Sequence, residues 1–398
     1  MAIVSRKFTA TILSMSLLTV MAGAAIAPAL GVIKEHFAGQ GDMLIQLIVS
    51  IPALFIIITN FFFSSLCKVM KTRTLAITGL VMYVVFGAGA FFAKNIATLL
   101  VMRSLLGVSV GMIMPLSTGL LAYYYPPTAQ ARLMGLSAAM NQLGGVVATL
   151  LAGLLANIQW NYAFLVYLLG LFAVVLVVAF LPNERLASKG SKLSVKSLAK
   201  FHPSVVGMLL LMIIFFIYPT NFAIAAHDGT SLSNNAITYI MVALDVVAFL
   251  VGLVFGDLMK KMRRSMKYMA PGLFLLGYAC MAAWDSIAGL LFGSLLIGLA
   301  NGVGVPYLNT IASIKGGKDS ATTVMPLLSA ALYLGQFISP LVVLPLGRAL
   351  FGSADTLAPF KVGVIFCVIF LVQVFLTRNF QSLPPQKHKM DESGTPRE

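Results

Sequence analysis

Twelve apolar runs divide this chain, at 10–31, 43–66, 74–93, 96–122, 133–156, 162–181, 204–226, 234–257, 268–284, 287–312, 322–346 and 359–377. At 1.5 Å per residue, about 20 residues of helix cross the hydrocarbon core of a bilayer. The runs also repeat. A shift of 191 positions superposes Pro28 on Pro219, Arg73 on Arg264, Gly107 on Gly298, Gly111 on Gly302, Pro115 on Pro306 and Gly144 on Gly335. The expected fold is all-α: twelve transmembrane helices in two pseudo-symmetric six-helix bundles, at 1–181 and 204–380. A cytoplasmic linker at 182–203 joins them, and a disordered cytoplasmic tail at 381–398 follows. Two like halves in lipid are the usual architecture of a secondary transporter, whose substrate site lies where the halves meet.

Composition agrees with lipid as the solvent. Apolar residues make up 59% of the 398 and charged residues 10%, against about 25% charged in a soluble domain. The net charge of +15 would suit nucleic acid, but its distribution excludes that partner. With the N-terminus in the cytoplasm, 22 of the 27 Lys and Arg fall in cytoplasmic segments; Lys34, Lys94, Arg348 and Lys361 lie on the far side and Arg103 lies inside a run. This bias places both termini in the cytoplasm of a cell whose inner or plasma membrane holds the protein. Arg6 and Lys7 imitate the start of a signal peptide, yet the first run is longer than a signal core of about 7–15 residues and carries Pro28, echoed at Pro219. It is read as a retained helix. Cys67, Cys280 and Cys367 are scattered, and the four His residues show no ligand spacing, so neither disulfide, metal nor other cofactor is expected.

The basic residues of 182–203 recur every three to four positions. Two readings stand: an amphipathic helix on the anionic leaflet, anchored by Leu186, Leu193 and Leu198, or a flexible linker. Elsewhere the loops are short, which leaves no room for a soluble catalytic domain. Gly107 and Gly111, Gly298 and Gly302, and Gly252 and Gly256 are each four apart, the interval that lets helix backbones approach closely in lipid. Pro52, Pro115, Pro306, Pro326 and Pro340 interrupt the hydrogen-bond ladder and permit bends.

Twelve spans in two repeated halves joined by a basic loop resemble the major facilitator superfamily, over residues 8–380. Arg103 with Gly107 and Gly111 matches its fourth-helix signature. Its first-half loop motif, a glycine, an aspartate four later and a basic cluster, is eroded here to Ser64, Lys68 and Arg73. The second-half echo is better kept, as Gly252, Gly256, Asp257 and the cluster Lys260, Lys261, Arg263 and Arg264. The fifth helix carries Gly144, Gly145 and Gly153 but has Ala148 and Thr149 where the proton-driven drug antiporters have a Gly-Pro pair. The resemblance implies conformational roles for Gly107, Gly111, Gly252, Gly256, Asp257 and Arg264, and a coupling role for Arg103 through neighbouring helices.

An ionisable residue at membrane depth costs about 2.5–3.5 kcal/mol on insertion scales, so it faces a cavity or a partner. Arg103 and Asp245 qualify. From its chemistry Arg103 could bind an anionic substrate or brace backbone carbonyls. Asp245, near the centre of the eighth helix, has Leu54 as its counterpart in the first half; it is a candidate proton carrier, a packing element or a contact for a cationic substrate. Asn60, Asn141, Gln142, Asn221, Asn301, Asn309 and Gln336 lie on helices that line the cavity in this superfamily, and Tyr239 adds an aromatic phenol. Amides donate and accept at once, and each could equally be glue between helices. His227 and Asp228, at the far end of the seventh helix, form either a gate or a solvated helix end.

No nucleophile, acid–base pair or metal cluster stands at reactive spacing, so the chain is not read as an enzyme. The leading reading is a proton-coupled antiporter that exports a small amphipathic or cationic compound by alternating access. A small-molecule substrate, protons and membrane lipids are its partners, and the chain acts as a monomer. The alternative within transport is a small anionic or hydroxylated metabolite recognised by Arg103. The alternative of another class is a membrane sensor or lipid-handling protein, which a cavity open sideways to lipid would favour.

Overall fold

The computed structural model describes residues 6–125, 127–184, 195–229, 232–262, 265–283, 286–316, 320–352 and 355–377. Among these there is no strand. Twelve helical segments run in order: α1 (Arg6–His36), α2 (Asp42–Val69), α3 (Thr72–Phe92), α4 (Ile96–Tyr124), α5 (Pro127–Ala156), α6 (Trp160–Phe180), α7 (Val195–Gly229), α8 (Asn234–Met262), α9 (Met266–Ala283), α10 (Ile287–Gly316), α11 (Ser320–Phe351) and α12 (Ala358–Leu376). Eleven are long and apolar enough to cross a membrane; α9, only 18 residues with Lys267 near its start, falls just outside that group. The expected helix count and the two-bundle fold hold.

The helices overrun the apolar runs. Apolarity reports the lipid-facing length, whereas the hydrogen-bond ladder continues into polar flanks once a helix has nucleated. The largest difference is α7, which begins at Val195 rather than at 204. Nine residues assigned to the linker are therefore the first turns of a membrane helix. The rest of the linker from 185 to 194, the tail beyond 377, and Arg264 lie outside the described residues.

Both halves are assembled by the same contacts. In the first, α2 packs on α4, α1 on α5, and α3 on α4 and α6; in the second, α8 packs on α10, α7 on α11, and α9 on α10 and α12. Glycines make the closest of these approaches. A Cβ at Gly107 would strike the carbonyl oxygen of Pro52, and one at Gly298 would lie 2.6 Å from that of Leu244. Gly111 faces the Ile56 carbonyl and Gly302 that of Ala248; Gly144 meets Leu17 and Gly335 meets Leu209. The duplication read from sequence is thus a duplication of backbone-to-backbone contacts. Gly252 and Gly256 are a correction to the packing expectation: a Cβ at either would meet nothing within 4 Å. Their spacing matches a packing motif, but among the described residues nothing lies close enough to either glycine to pack on it.

Across the molecule the halves meet along α2–α11 and α5–α8, with the end of α1 against α7. Helix α1 is broken there. It tightens into a 3-10 turn at Ala27–Ala29 and resumes at Leu30, because Pro28 has no N–H to continue the ladder.

Candidate functional site

A cavity of about 600 Å³ lies between the halves, midway along the helices, walled by α1, α2, α4 and α5 on one side and α7, α8, α10 and α11 on the other. Much of its wall is apolar, with Ile56, Met212, Phe215, Phe216 and Phe249 among its contributors. Five of the sequence-predicted amides converge on it: Asn141, Gln142, Asn301, Asn309 and Gln336. They do so because Asn301 and Asn309 are eight apart on α10, two turns along one face, while α5 presents Asn141 with Thr149 at the same interval. Asp245 and Gly252 line the cavity too. Among its described lining residues, Asp245 is the only Asp, Glu, Lys, Arg or His.

Asp245 accepts a hydrogen bond of 2.8 Å from the hydroxyl of Thr149 on α5. This bond crosses from one half to the other. Thr149 occupies the place where the antiporter motif has its Gly-Pro pair, so the residue by which this chain departs from that motif is the one that touches Asp245. Toward the face where α1 ends, the α5–α8 seam continues as a polar ladder. Asn157 donates to Asn235 at 2.5 Å, and Asn234 donates to the Gly153 carbonyl at 2.9 Å and to Asn157 at 3.1 Å. Gly153 permits the approach, since a Cβ there would run into Thr238.

Arg103 does not line the cavity. It is fully buried, and its guanidinium donates to the Ile48 carbonyl on α2 at 2.7 Å, to the Tyr167 hydroxyl on α6 at 2.5 Å, and to the Ala22 carbonyl on α1. The two carbonyls are the ones the chain itself leaves short of donors. Ile48 lies four residues before Pro52, which has no N–H to give it. Ala22 lies in the last turn before the break in α1, where helix carbonyls lack intrahelical partners and a cation is favoured. The 191-shifted position holds Ser294, which accepts from Tyr218 at 2.9 Å, and no proline stands at the corresponding place in α8.

Three predicted contacts lie elsewhere. Asn60 is off the cavity with its side-chain oxygen buried and unpartnered. Tyr239 is 55% exposed on the outside of α8. Asn221 accepts from Gln46 of α2 at 2.7 Å and donates back to the Ile217 carbonyl at 2.9 Å, which makes it a tie between the halves. Asp257 is exposed and pairs with Lys260 at 3.2 Å.

Above Asn221, at the face where α1 ends, charges bridge the halves. Lys34 pairs with Asp228 at 2.7 Å and Asp42 at 3.3 Å, Arg348 pairs with Asp42 at 2.8 Å, and His227 stands 3.7 Å from Glu35 and 3.6 Å from Asp228. Gly31 lets α1 close on α7, because a Cβ there would lie 2.9 Å from that of His227. Sequence reading noted His227 and Asp228 but missed the roles of Thr149, Gln46 and Asp42. No periodicity marks them, since each acts only through a partner on a distant helix.

A membrane protein of twelve helices in two like halves around a central cavity has the architecture of a transporter. Residues 12–340 match the Major Facilitator Superfamily, and the chain belongs to it. It is a multi-pass membrane protein of a transporter family rather than of an enzyme family. Its fold is similar to that of a bacterial homolog of the human lysosomal transporter Spinster. Against the inward-facing, occupied crystal structure the TM-score is 0.78 at 13% identity, over 95% of this chain and 98% of the other. Against the inward-facing, unoccupied structure it is 0.74 at 14% identity, over 96% and 100%. An uncharacterized transporter of Schizosaccharomyces pombe is 26% identical over 200 residues, which is 48% of this chain and 41% of that protein, so the chain spans about two fifths of the length of this curated relative.

Proposed function

We propose that this protein is a proton-coupled antiporter that exports a small amphipathic cation by alternating access. It works as a monomer in the cytoplasmic membrane, with both termini and the linker, shortened to 182–194 by the early start of α7, on the cytoplasmic side and the two bundles at 1–181 and 195–380 rocking about the cavity. The observation that carries the reading is Asp245, the one acidic or basic residue among the described residues that line a largely apolar cavity between the halves. A cation leaving water for such walls needs a counter-charge close by. One carboxylate can hold either a proton or the cation, and that mutual exclusion is the elementary step of antiport. The apolar and aromatic wall suits the rest of an amphipathic molecule. Thr149 supports the same carboxylate from the other half, so the coupling group sits on the seam that must open and close. Arg103 enters as a brace that holds α1, α2 and α6 to α4 while the bundle moves as a unit, with Gly107 and Gly111 keeping α4 against α2. Recognition of an anion by Arg103 is disfavoured by its burial away from the cavity. The basic cytoplasmic segments that orient the chain also meet anionic lipid.

Purified protein in proteoliposomes tests this with a panel of labelled lipophilic cations, anions and sugars under an imposed pH gradient. The gradient is expected to drive accumulation of at least one cation, to do so in Asp245→Glu, and to fail in Asp245→Asn. Accumulation only of anions or sugars, or undiminished proton-driven flux in Asp245→Asn, removes the reading.

A further inference from the structure

Thr59, Thr220, Thr238 and Thr310 show what a threonine does inside these helices: each donates its hydroxyl to the carbonyl four residues back, at 2.6–2.8 Å. Thr149 does otherwise. It is buried, and its one proton goes across the seam to the Asp245 carboxylate at 2.8 Å. The carbonyl of Gly145, four residues back on α5, offers the alternative that the other threonines take. Thr149 is thus a donor with two positions, one inside its own half and one tied to the other half.

The place of this bond sets its importance. Starting from the face where α1 ends, the contacts of α5 with α8 follow in order: Asn157 with Asn234 and Asn235, Gly153 against Thr238, then Thr149 with Asp245. Two turns farther along α8, Gly252 lines the cavity, and among the described residues nothing lies within 4 Å of a Cβ there. The amide ties keep their strength whatever the cavity holds. Thr149–Asp245 does not, because a hydrogen bond to an ionised carboxylate is about twice as strong as one to a neutral acceptor, and a proton or a paired cation removes that advantage. Of the helices packed on α8, α1, α5 and α10 bring no Asp, Glu, Lys, Arg or His to the described cavity wall; α7 brings the Tyr218 phenol, within electrostatic reach of the carboxylate. What occupies the cavity therefore decides the charge at Asp245.

We propose that Thr149 is a positioning residue of the exchange: its hydroxyl ties the halves together while Asp245 is ionised and empty, and releases them once a proton or a cationic substrate has taken the carboxylate. The inference rests on the reading of Asp245 as the exchange site and adds what that reading lacks. Competition for one carboxylate does not stop the empty carrier from changing sides. Two wasteful cycles, proton influx without export and re-entry of the exported cation, both pass through the empty carrier opening toward the face where α1 ends. The charged Thr149–Asp245 tie opposes that step. When the charge is neutralised, the hydroxyl turns back to Gly145 of its own helix. Parting of the halves then becomes about tenfold more favourable, the difference between a hydrogen bond to a charged group and a neutral one.

The test follows opening of that face at Ala225→Cys in full-length protein without Cys67, Cys280 and Cys367. His227→Gln is included to remove the imidazole that neighbours Glu35 and Asp228 there. The protein in detergent reacts with a water-soluble maleimide at about pH 8 and about pH 5, and each rate is divided by that of the unfolded chain at the same pH. With Thr149 present, the normalised rate should rise about tenfold toward the lower pH. Thr149→Val keeps the shape and removes the donor, so it should react fast at both and differ by less than about twofold. Thr149→Ser keeps the donor and should keep the rise. In proteoliposomes with no cation added, Thr149→Val should also dissipate an imposed pH gradient about tenfold faster than the wild type. A rate that is flat with pH when Thr149 is present, a rise preserved in folded Thr149→Val or lost in folded Thr149→Ser, or a gradient that Thr149→Val holds as the wild type does overturns the proposal. Asp245→Asn separates the two readings: if it abolishes proton-driven accumulation of the lipophilic cations while Thr149→Val behaves as its parent, the exchange site stands and the tie falls. Undiminished accumulation in Asp245→Asn removes the exchange site, and the tie with it.

Discussion

Arg103 is a buried charge whose contacts are two carbonyls and a phenol, with no carboxylate among them. Such a group is stable at this depth only because every arm of a planar fork meets an acceptor that needs a donor. An ammonium cannot span acceptors on three helices at fixed angles. Arg103→Lys is therefore expected to lower the stability of the folded protein by about 2–3 kcal/mol and Arg103→Ala by about 3–5 kcal/mol, since a lost partner leaves buried polar groups unsatisfied. Thermal unfolding in detergent checks the order, and transport of every substrate should fall together. Selective loss of anion binding in a variant of wild-type stability would instead return Arg103 to substrate recognition. The residue type and its depth were legible in the sequence. The reason for it was half legible: Pro52 marks Ile48 as a carbonyl in need, but nothing in the linear pattern says that the fourth helix passes beside it.

Helix pairs carry the second level of organisation, and the glycines divide by what lies against them. Gly298 and Gly302 seat α10 on the backbone of α8, as Gly107 and Gly111 seat α4 on α2, whereas Gly256 has open space where a side chain would go. A leucine at Gly298 cannot be absorbed by a side-chain shift, because the obstacle is the Leu244 carbonyl. Gly298→Leu should cost about 3 kcal/mol or more through overpacking, while Gly256→Ala should be neutral or gain up to about 1 kcal/mol from helix propensity. The fraction of each variant surviving as a monodisperse peak after heating measures this. Equal losses at the two positions would mean that spacing, not contact, decides a glycine's role. The sequence displayed three pairs at the same interval with nothing to tell them apart. What separates them is which helix packs alongside.

At the scale of the whole molecule, the polar ties between the halves gather toward the face where α1 ends, from Thr149–Asp245 through Asn221–Gln46 to the network of Lys34, Asp42, Asp228 and Arg348. These ion pairs are partly exposed, so each contributes about 1 kcal/mol or less; Asp42 matters more than a single pair because it accepts from both Lys34 and Arg348. Asp42→Asn should loosen this face about threefold to tenfold, the population shift that an energy of that size allows. The readout is the rate at which a water-soluble maleimide modifies a cysteine placed at the buried Ala225, in a background without Cys67, Cys280 and Cys367. An unchanged rate would show that apolar packing, not charge, holds the face closed.

The sequence by itself determined the helices, their number and their duplication, because lipid leaves the backbone no other way to satisfy its hydrogen bonds and because a repeated Gly or Pro keeps its place along the chain. It also supplied a short list from which the site was drawn: Asp245 and five of the amides do face the cavity. It did not determine which face of each helix turns inward. Asp245 and Tyr239 lie on one helix, six residues apart and so about 120° around its axis, and only one of them meets the cavity while the other is exposed outside. Helix rotation is fixed by what packs against what, through contacts such as Gly298 on Leu244 and Gly153 on Thr238. Those partners are tens of residues apart in the chain, so the pairing that makes Asp245 and Thr149 neighbours exists only in the folded bundle.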